Sequence, residues 1–174
     1  MDEGTFRSRL VELLKKSRQA VRGYERVERS SHDEGNRLIA TQAEEWKRVN
    51  SELLRELSLA LNSPSGKRLT SDILSIRERF SLVWRQSESD LLRKQTELLQ
   101  AARSGEFVKS AILSSELVIL KARVQATQAA HHELGDVLRK SHIAEPDEAV
   151  PVDEMPPREY PQEQRARVIP LKRQ

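Results

Sequence analysis

The sequence predicts an all-α protein, with a helical domain over residues 1–144 and a disordered tail over 145–174. Charged residues make up 33% of the 174 positions and aromatic residues only 4%, which is typical of helix-rich chains. Apolar residues recur at spacings of three and four through most of the chain before residue 140. Six of the seven prolines lie at or beyond Pro146, and no strand-forming runs of Val, Ile, Thr and Tyr stand out.

The first helix is predicted over about residues 6–29, because an apolar stripe begins at Phe6 and ends at Val27. Ser31 precedes Glu34 by three residues, which is the spacing of a capping box, and Gly35 follows. We therefore expect a tight turn there. A helix that continues through Gly35 is the alternative, since a glycine inside a helix costs only about 1 kcal/mol.

The second and third helices are predicted over 36–61 and 71–103. Residues 62–67 separate them, because this segment combines a proline, a glycine and three small polar residues. Thr70 or Ser71 is the expected N-cap of the third helix. Both helices carry a long apolar stripe, with Trp46 on the second and Trp84 on the third.

The fourth helix is predicted over 106–141, following Gly105, which suits the left-handed conformation that ends a helix. It carries few charges, and its middle is rich in Ala and Ser, so we expect it at the centre of a bundle or at a subunit interface. Breaks at both glycines give a four-helix up-down bundle. No break at either glycine gives a long antiparallel coiled-coil hairpin instead.

The composition limits the cellular compartments in which this protein is expected. The chain has no cysteine, so disulfides and thiolate metal sites are excluded. The N-terminal stretch begins with acidic residues and its apolar cluster is interrupted by charges, unlike a signal peptide. The longest strongly apolar stretch, 117–120, is far shorter than a membrane span. We expect a cytoplasmic protein with no membrane-spanning segment.

Motifs for enzymatic chemistry are incomplete. A phosphate-binding loop ending at Lys67 would need glycine where Leu61 stands and serine or threonine where Arg68 stands. His132 and Asp136 lie one helical turn apart, but the second histidine of a zinc-protease motif is missing. No Glu-x-x-His pair of a di-metal bundle occurs. We expect no enzyme, no cofactor and no metal.

A basic face is the clearest positive signal for binding. Five cations recur at spacings of three and four on the first helix: Lys15, Arg18, Arg22, Arg26 and Arg29. Such a face fits nucleic-acid phosphates or an anionic membrane surface. We favour the alternative interpretation, in which these cations form an ordinary solvated face and pair in part with Glu12, Glu25 and Glu28.

Trp46 and Trp84 are expected to be core anchors that face one another, with a role as binding hot spots as the alternative. In the tail, the end of the chain has a basic–apolar–basic pattern around Val168, Ile169 and Leu171, which is the form of a short docking peptide; an inert tail is the alternative. Residues 145–163 hold seven acids against one arginine, so this segment is complementary in charge to the basic face and a candidate to fold back on it.

The expected function is therefore a non-enzymatic helical interaction module: an adaptor, chaperone or scaffold. It would bind a protein partner, or a second copy of itself as a homo-oligomer, through an apolar helix face. The alternative is a nucleic-acid-associated protein that uses the basic face of the first helix. In size, paired helices and extended tail, the predicted protein resembles small bacterial secretion or flagellar export chaperones, a resemblance of outline that carries over no residue.

Overall fold

The computed structural model describes residues 3–63 and 65–141, and it has four helices in this part of the chain. They are α1 (Glu3–Asp33), α2 (Arg37–Leu61), α3 (Gly66–Arg103) and α4 (Phe107–Lys140). Successive helices run in opposite directions, as in an up-down bundle. The prediction of an all-α four-helix bundle is confirmed, and the chain breaks at both of the glycines where a continuous helix was the alternative. The predicted disorder of the tail from residue 145 lies outside the described residues.

The two hairpin turns have the same construction. Gly35 and Gly105 both have φ of +74°, a left-handed conformation that costs glycine little. At the first turn, the amide of Asn36 donates to the Ser31 carbonyl (2.7 Å) and the amide of Gly35 to the His32 carbonyl (3.0 Å). Glu106 and Gly105 donate in the same way to the two corresponding carbonyls of α3. These are Schellman motifs, which end α1 and α3 with their last carbonyls satisfied.

Two predicted helix starts and one helix end need correction. α1 continues past residue 29 to Asp33, so Ser31 is inside the helix and buried, and it does not cap α2. Asn36 is the N-cap of α2, with Oδ1 accepting from the amide of Ile39. α3 begins at Gly66, five residues earlier than predicted, because Ser65 caps it by accepting from the amide of Arg68. Thr70 is already inside the helix, where its hydroxyl bonds the Gly66 carbonyl.

The turn between α2 and α3 lies within the predicted segment 62–67, ahead of Gly66, and a side chain of α1 binds to it. The guanidinium of Arg7 donates to the carbonyl of Leu61 at 2.9 Å and to that of Ser63 at 2.6 Å. The hydroxyl of Ser63 in turn bonds the carboxylate of Asp72 at 2.5 Å. The start of α1 thereby satisfies carbonyls that the end of α2 leaves open.

The bundle consists of two helical hairpins, α1/α2 and α3/α4, that meet mainly through α2 and α4. α1 and α3 lie on opposite sides and scarcely touch. The expectation that α4 is central agrees with this packing, because α4 contacts all three other helices. Its Ala122, Ala126 and Ala130 are buried, and their small side chains allow close approach of a neighbouring helix.

The core lies in the half of the bundle that holds the α2–α3 turn. All four helices contribute fully buried side chains, and the largest are Phe6, Leu10, Leu53, Leu57, Leu69, Ile73, Leu134 and Leu138. Near the two glycine turns large apolar residues are instead exposed on α3 and α4. The two ends of the molecule are therefore different: one is a closed core and the other presents apolar surface.

Candidate functional site

The N-terminal end of α4 extends beyond the N-terminal end of α2. Arg123 of α4 forms an ion pair with Glu45 of α2, and this contact shows which residues of the two helices lie at the same level. Because both helices run in the same direction, Arg37 at the start of α2 is level with about residue 115 of α4. The first two turns of α4 therefore project about 12 Å past α2, at 1.5 Å per residue.

The projecting turns carry apolar side chains that no other helix covers. Phe107 is 83% exposed, Val108 77% and Ile112 55%. Together with Leu113 they line an open groove of about 710 Å³ between α4 and the end of α3, which we call the tip groove. Val108 and Ile112 are on the side of α4 that faces α2 lower down, since Ile119, Arg123 and Ala126 follow at spacings of seven, four and three. The groove thus continues the surface that α2 covers.

The charges around the tip groove are paired with one another. Lys94 contacts Glu116 at 2.8 Å and Glu97 at 3.3 Å, and Lys109 contacts Glu106 at 3.2 Å. The hydrogen bond to Glu116 raises the pKa of Lys94, while hydrogen bonds from Ser104 and Lys109 lower the pKa of Glu106. The two lysines and three glutamates leave this rim with a net charge of only −1, which favours an apolar ligand over a strongly charged one.

The five predicted cations of α1 lie on one exposed face, as the sequence indicated. We call Lys15, Arg18, Arg22, Arg26 and Arg29 the basic stripe. None of them forms an ion pair within the described residues; Arg26 donates only to the backbone carbonyl of Arg22. Glu28, which was expected to neutralise part of the face, pairs instead with Lys47 of α2 at 2.5 Å. The stripe is therefore a row of exposed cations that form no ion pair within the described residues.

The two tryptophans do not face one another, so that expectation is wrong. The ring of Trp46 stacks on Tyr24 of α1, with centroids 5.5 Å apart, and packs against the core. The ring of Trp84 lies against His131 and His132 of α4, at 5.6 Å and 6.0 Å. Each hairpin contains one tryptophan, whose ring contacts aromatic or histidine side chains of the other helix in the same hairpin. Both rings are half-buried in these contacts, and neither borders the tip groove or the basic stripe.

A second cavity lies between α3 and α4 beside Trp84. It has a volume of about 430 Å³, and Arg77, Arg85 and Arg139 give its lining a positive character that Glu88 reduces. Arg77 contacts His131 and lies across the backbone of α4 at Gly135, where an added Cβ would come within 3.2 Å of its Nε. Gly135 therefore makes room for Arg77, and much of this positive charge serves the packing of α3 on α4.

The sequence places His132 and Asp136 one helical turn apart, a spacing at which both could bind one metal ion. In the structure Asp136 is paired with Arg139, and the hydrogen bond from this arginine lowers the pKa of the carboxyl. No cluster of three metal-ligating side chains occurs in residues 3–63 and 65–141. Among the same residues, no helix has the length and apolar character needed to cross a membrane.

Sequence reasoning missed the tip groove and identified the basic stripe. The groove had one signal: Phe107 and Val108 follow Gly105 after a single residue, at the start of a helix whose charges are few. The tail residues Val168, Ile169 and Leu171, predicted as a docking peptide, lie outside the described residues. Comparison of the chain with protein-family models, curated proteins and solved structures finds no match.

Proposed function

We propose that this protein is a non-enzymatic helical interaction module, and that the tip groove binds an amphipathic helix of a protein partner. The observation that carries this proposal is the exposure of Phe107, Val108 and Ile112 on two turns of α4 that project past α2. Exposed apolar residues that adjoin one another mark interaction sites more often than isolated ones do.

The geometry supports a helix as the ligand. Lower in the bundle the same side of α4 is covered by α2, with side chains spaced for helix-on-helix packing. A partner helix placed in line with α2 would continue this packing over the groove. Its apolar residues would recur at spacings of three and four, as in other helix-in-groove complexes. The paired charges of the rim leave burial of apolar surface as the main driving force.

Photo-crosslinking of the full-length protein tests the proposal. A photoreactive amino acid replaces Phe107 in one sample and Leu59 in another, because Leu59 is 62% exposed but lies far from the groove. Both samples are irradiated in lysate of the source cells, and the cross-linked peptides are sequenced. The expected result is one partner, attached only at position 107 through a segment with helical apolar spacing.

A synthetic peptide of that segment then provides a binding measurement. Phe107→Asp with Ile112→Asp should weaken its binding at least tenfold, whereas Leu59→Asp with Leu82→Asp, two equally exposed positions elsewhere, should leave the affinity unchanged. Cross-links to a second copy of the chain, to residues 165–174 of the chain itself, or to nothing would overturn the proposed occupant.

A second candidate function is association with nucleic acid. It is favoured by one observation, that none of the five cations of the basic stripe is paired within the described residues. It predicts binding of a DNA or RNA oligonucleotide that falls steeply with salt, because each neutralised phosphate releases counterions. Arg18→Glu, Arg22→Glu and Arg26→Glu together should abolish that binding.

A further inference from the structure

The chain leaves the helical bundle next to α1. Ser141, the last described residue, is buried, and its hydroxyl lies 3.5 Å from Nη1 of Arg9. Two turns further up the bundle, Lys16 of α1 forms an ion pair with Glu133 of α4. Both contacts place the end of α4 beside the start of α1. Residues that follow Ser141 therefore begin about 9 Å, or six helical residues, below Lys15, where the basic stripe begins.

The stripe is long, exposed and unneutralised. From Lys15 to Arg29 it extends about 21 Å along α1. No glutamate of α1 forms an ion pair with it: Glu28 pairs with Lys47, and Glu12 and Glu25 form no ion pair within the described residues. A row of five such charges attracts an anionic chain more than it attracts a single small anion, since its charges are distributed along a line.

The segment that follows Ser141 has the complementary charge. Residues 145–163 carry seven Asp or Glu and one Arg. Arg9 and Lys16 face α4, whereas the stripe lies on another side of α1, so the chain must pass around this helix to reach it. An extended chain spans about 3.3 Å per residue, so the first six or seven residues after Ser141 cover about 20 Å, which suffices to reach the lower end of the stripe, and the residues from 148 to 163 exceed its length of about 21 Å more than twofold. Tethering by such a short connection gives an effective concentration in the millimolar range, which suffices to populate even a weak ionic contact.

We propose that the basic stripe is a binding surface for acidic, extended polypeptide, and that residues 145–163 of this chain occupy it at low ionic strength. The contact runs from the end of α4 upward along α1 toward Arg29. Its charges are solvated and lie within a Debye length only at low and moderate salt, so the contact opens as salt rises. An external polyanion that reaches the stripe must displace this segment.

Distances in the full-length chain test the proposal. The chain has no cysteine, so Ser30→Cys and Met155→Cys introduce two unique sites for spin labels. In an extended segment that meets Lys15 near residue 148, residue 155 lies about 23 Å further along and level with Ser30, so the two labels are within about 25 Å of one another. A released chain of about fourteen residues starts about 30 Å below Ser30 and leaves them about 38 Å apart. The expected result is a population at the short distance in about 50 mM salt and its loss in about 500 mM salt.

Charge variants assign the contact to the stripe. Arg18→Glu, Arg22→Glu and Arg26→Glu together should remove the short distance at low salt. The matched control is Lys67→Glu, Arg68→Glu and Arg85→Glu, which makes the same change in net charge at exposed positions on α3. It should keep the short distance. The salt series on the unaltered helices needs no charge variant, so its outcome does not depend on how the triple variants fold.

Three results would overturn the proposal. One is a distance distribution that is the same at both salt concentrations. Another is a short distance that survives reversal of the three stripe arginines, or disappears equally in the α3 control. The third is the absence of a short distance in a chain that nonetheless binds a twenty-nucleotide single-stranded DNA through the stripe arginines, which would assign the surface to nucleic acid.

Discussion

Arg123 of α4 donates two hydrogen bonds to the carboxylate of Glu45 of α2, from Nε to Oε2 and from Nη2 to Oε1, each 3.1 Å long. Arg48 contacts the same carboxylate at 2.8 Å from within α2. This arrangement joins residues 78 positions apart and marks the register of the two central helices, in which Glu45 is level with Arg123. The projection of α4 past α2, and with it the tip groove, depends on that register.

Replacing Glu45 by glutamine should make the protein less stable and its stability less dependent on acid. Burial raises the pKa of Glu45, but hydrogen bonds from Arg123 and Arg48 outweigh it, so the pKa lies below the usual 4.5. A carboxyl with a lowered folded-state pKa contributes stability above its unfolded pKa and loses that contribution as pH falls through the folded value. We expect Glu45→Gln to reduce the free energy of unfolding at pH 7 by about 1–2 kcal/mol.

Urea denaturation at pH 7 and pH 3 measures both effects. The variant should lose less stability than the wild type between these pH values, because it lacks one carboxyl that must be protonated. Glu44→Gln serves as the control, since Glu44 is exposed and forms no ion pair among the described residues. Equal behaviour of the two variants would contradict the role given to Glu45.

Alanine should destabilise the protein at Gly35 and Gly105 but stabilise it at Gly23. Gly35 and Gly105 have φ of +74°, so alanine there should lower the free energy of unfolding by about 1 kcal/mol at each position. Gly23 lies inside α1, and an added Cβ would meet no atom within 4 Å. Alanine at this position should therefore raise the free energy of unfolding by about 0.5–1 kcal/mol. Urea denaturation of the three variants decides the matter; stabilisation at Gly35 or Gly105 would mean that the Schellman turns are not required.

The sequence was sufficient to predict the features that depend on local chemistry. Four helices follow from apolar periodicity, and the two sharp turns follow from Gly35 and Gly105, because few other residues adopt the backbone conformation found there. The basic stripe follows from the spacing of cations on one helix. The start of α3 was predicted five residues late, because Ser65 competes with Ser71 as a cap and the sequence offers both.

Features that depend on the packing of distant segments were not predictable. The tip groove exists because α4 begins about two turns above the start of α2, and this offset, marked by the ion pair between Glu45 and Arg123, has no local signal in the sequence. The separate partners of the tryptophans have the same origin. Both rings are half-buried and only Trp46 packs against the core, and which helix each ring meets depends on the pairing of α1 with α2 and of α3 with α4.

Alanine substitutions at two leucines should show a large loss of stability at the closed end of the bundle and little loss at the open end. Leu134 is fully buried among side chains of the core, so Leu134→Ala should lower the free energy of unfolding by about 2–5 kcal/mol. Leu92 is 60% exposed on the upper part of α3, so Leu92→Ala should change the free energy of unfolding by less than about 0.5 kcal/mol. Thermal or urea unfolding provides the comparison, and similar costs at both positions would show that Leu92 is packed in solution.

Polar substitutions in the tip groove should affect the surface without affecting the fold. Phe107→Ser with Ile112→Ser should reduce the fluorescence of a dye that binds exposed apolar surface, while the free energy of unfolding changes by less than about 0.5 kcal/mol. Leu59→Ser with Leu82→Ser removes comparably exposed residues outside the groove and should reduce the fluorescence much less. A large loss of stability in the groove variant would indicate that these side chains belong to the core.

The position of Ser141 has a practical consequence for how the molecule is presented. The chain leaves α4 at the closed end, and the thirty-four residues of α4 separate this exit from the tip groove by about 50 Å. A molecule immobilised or fused through residues beyond 141 therefore stands with its groove pointing away from the attachment. Attachment through the Gly35 or Gly105 turn would reverse this orientation and bring the groove against the support.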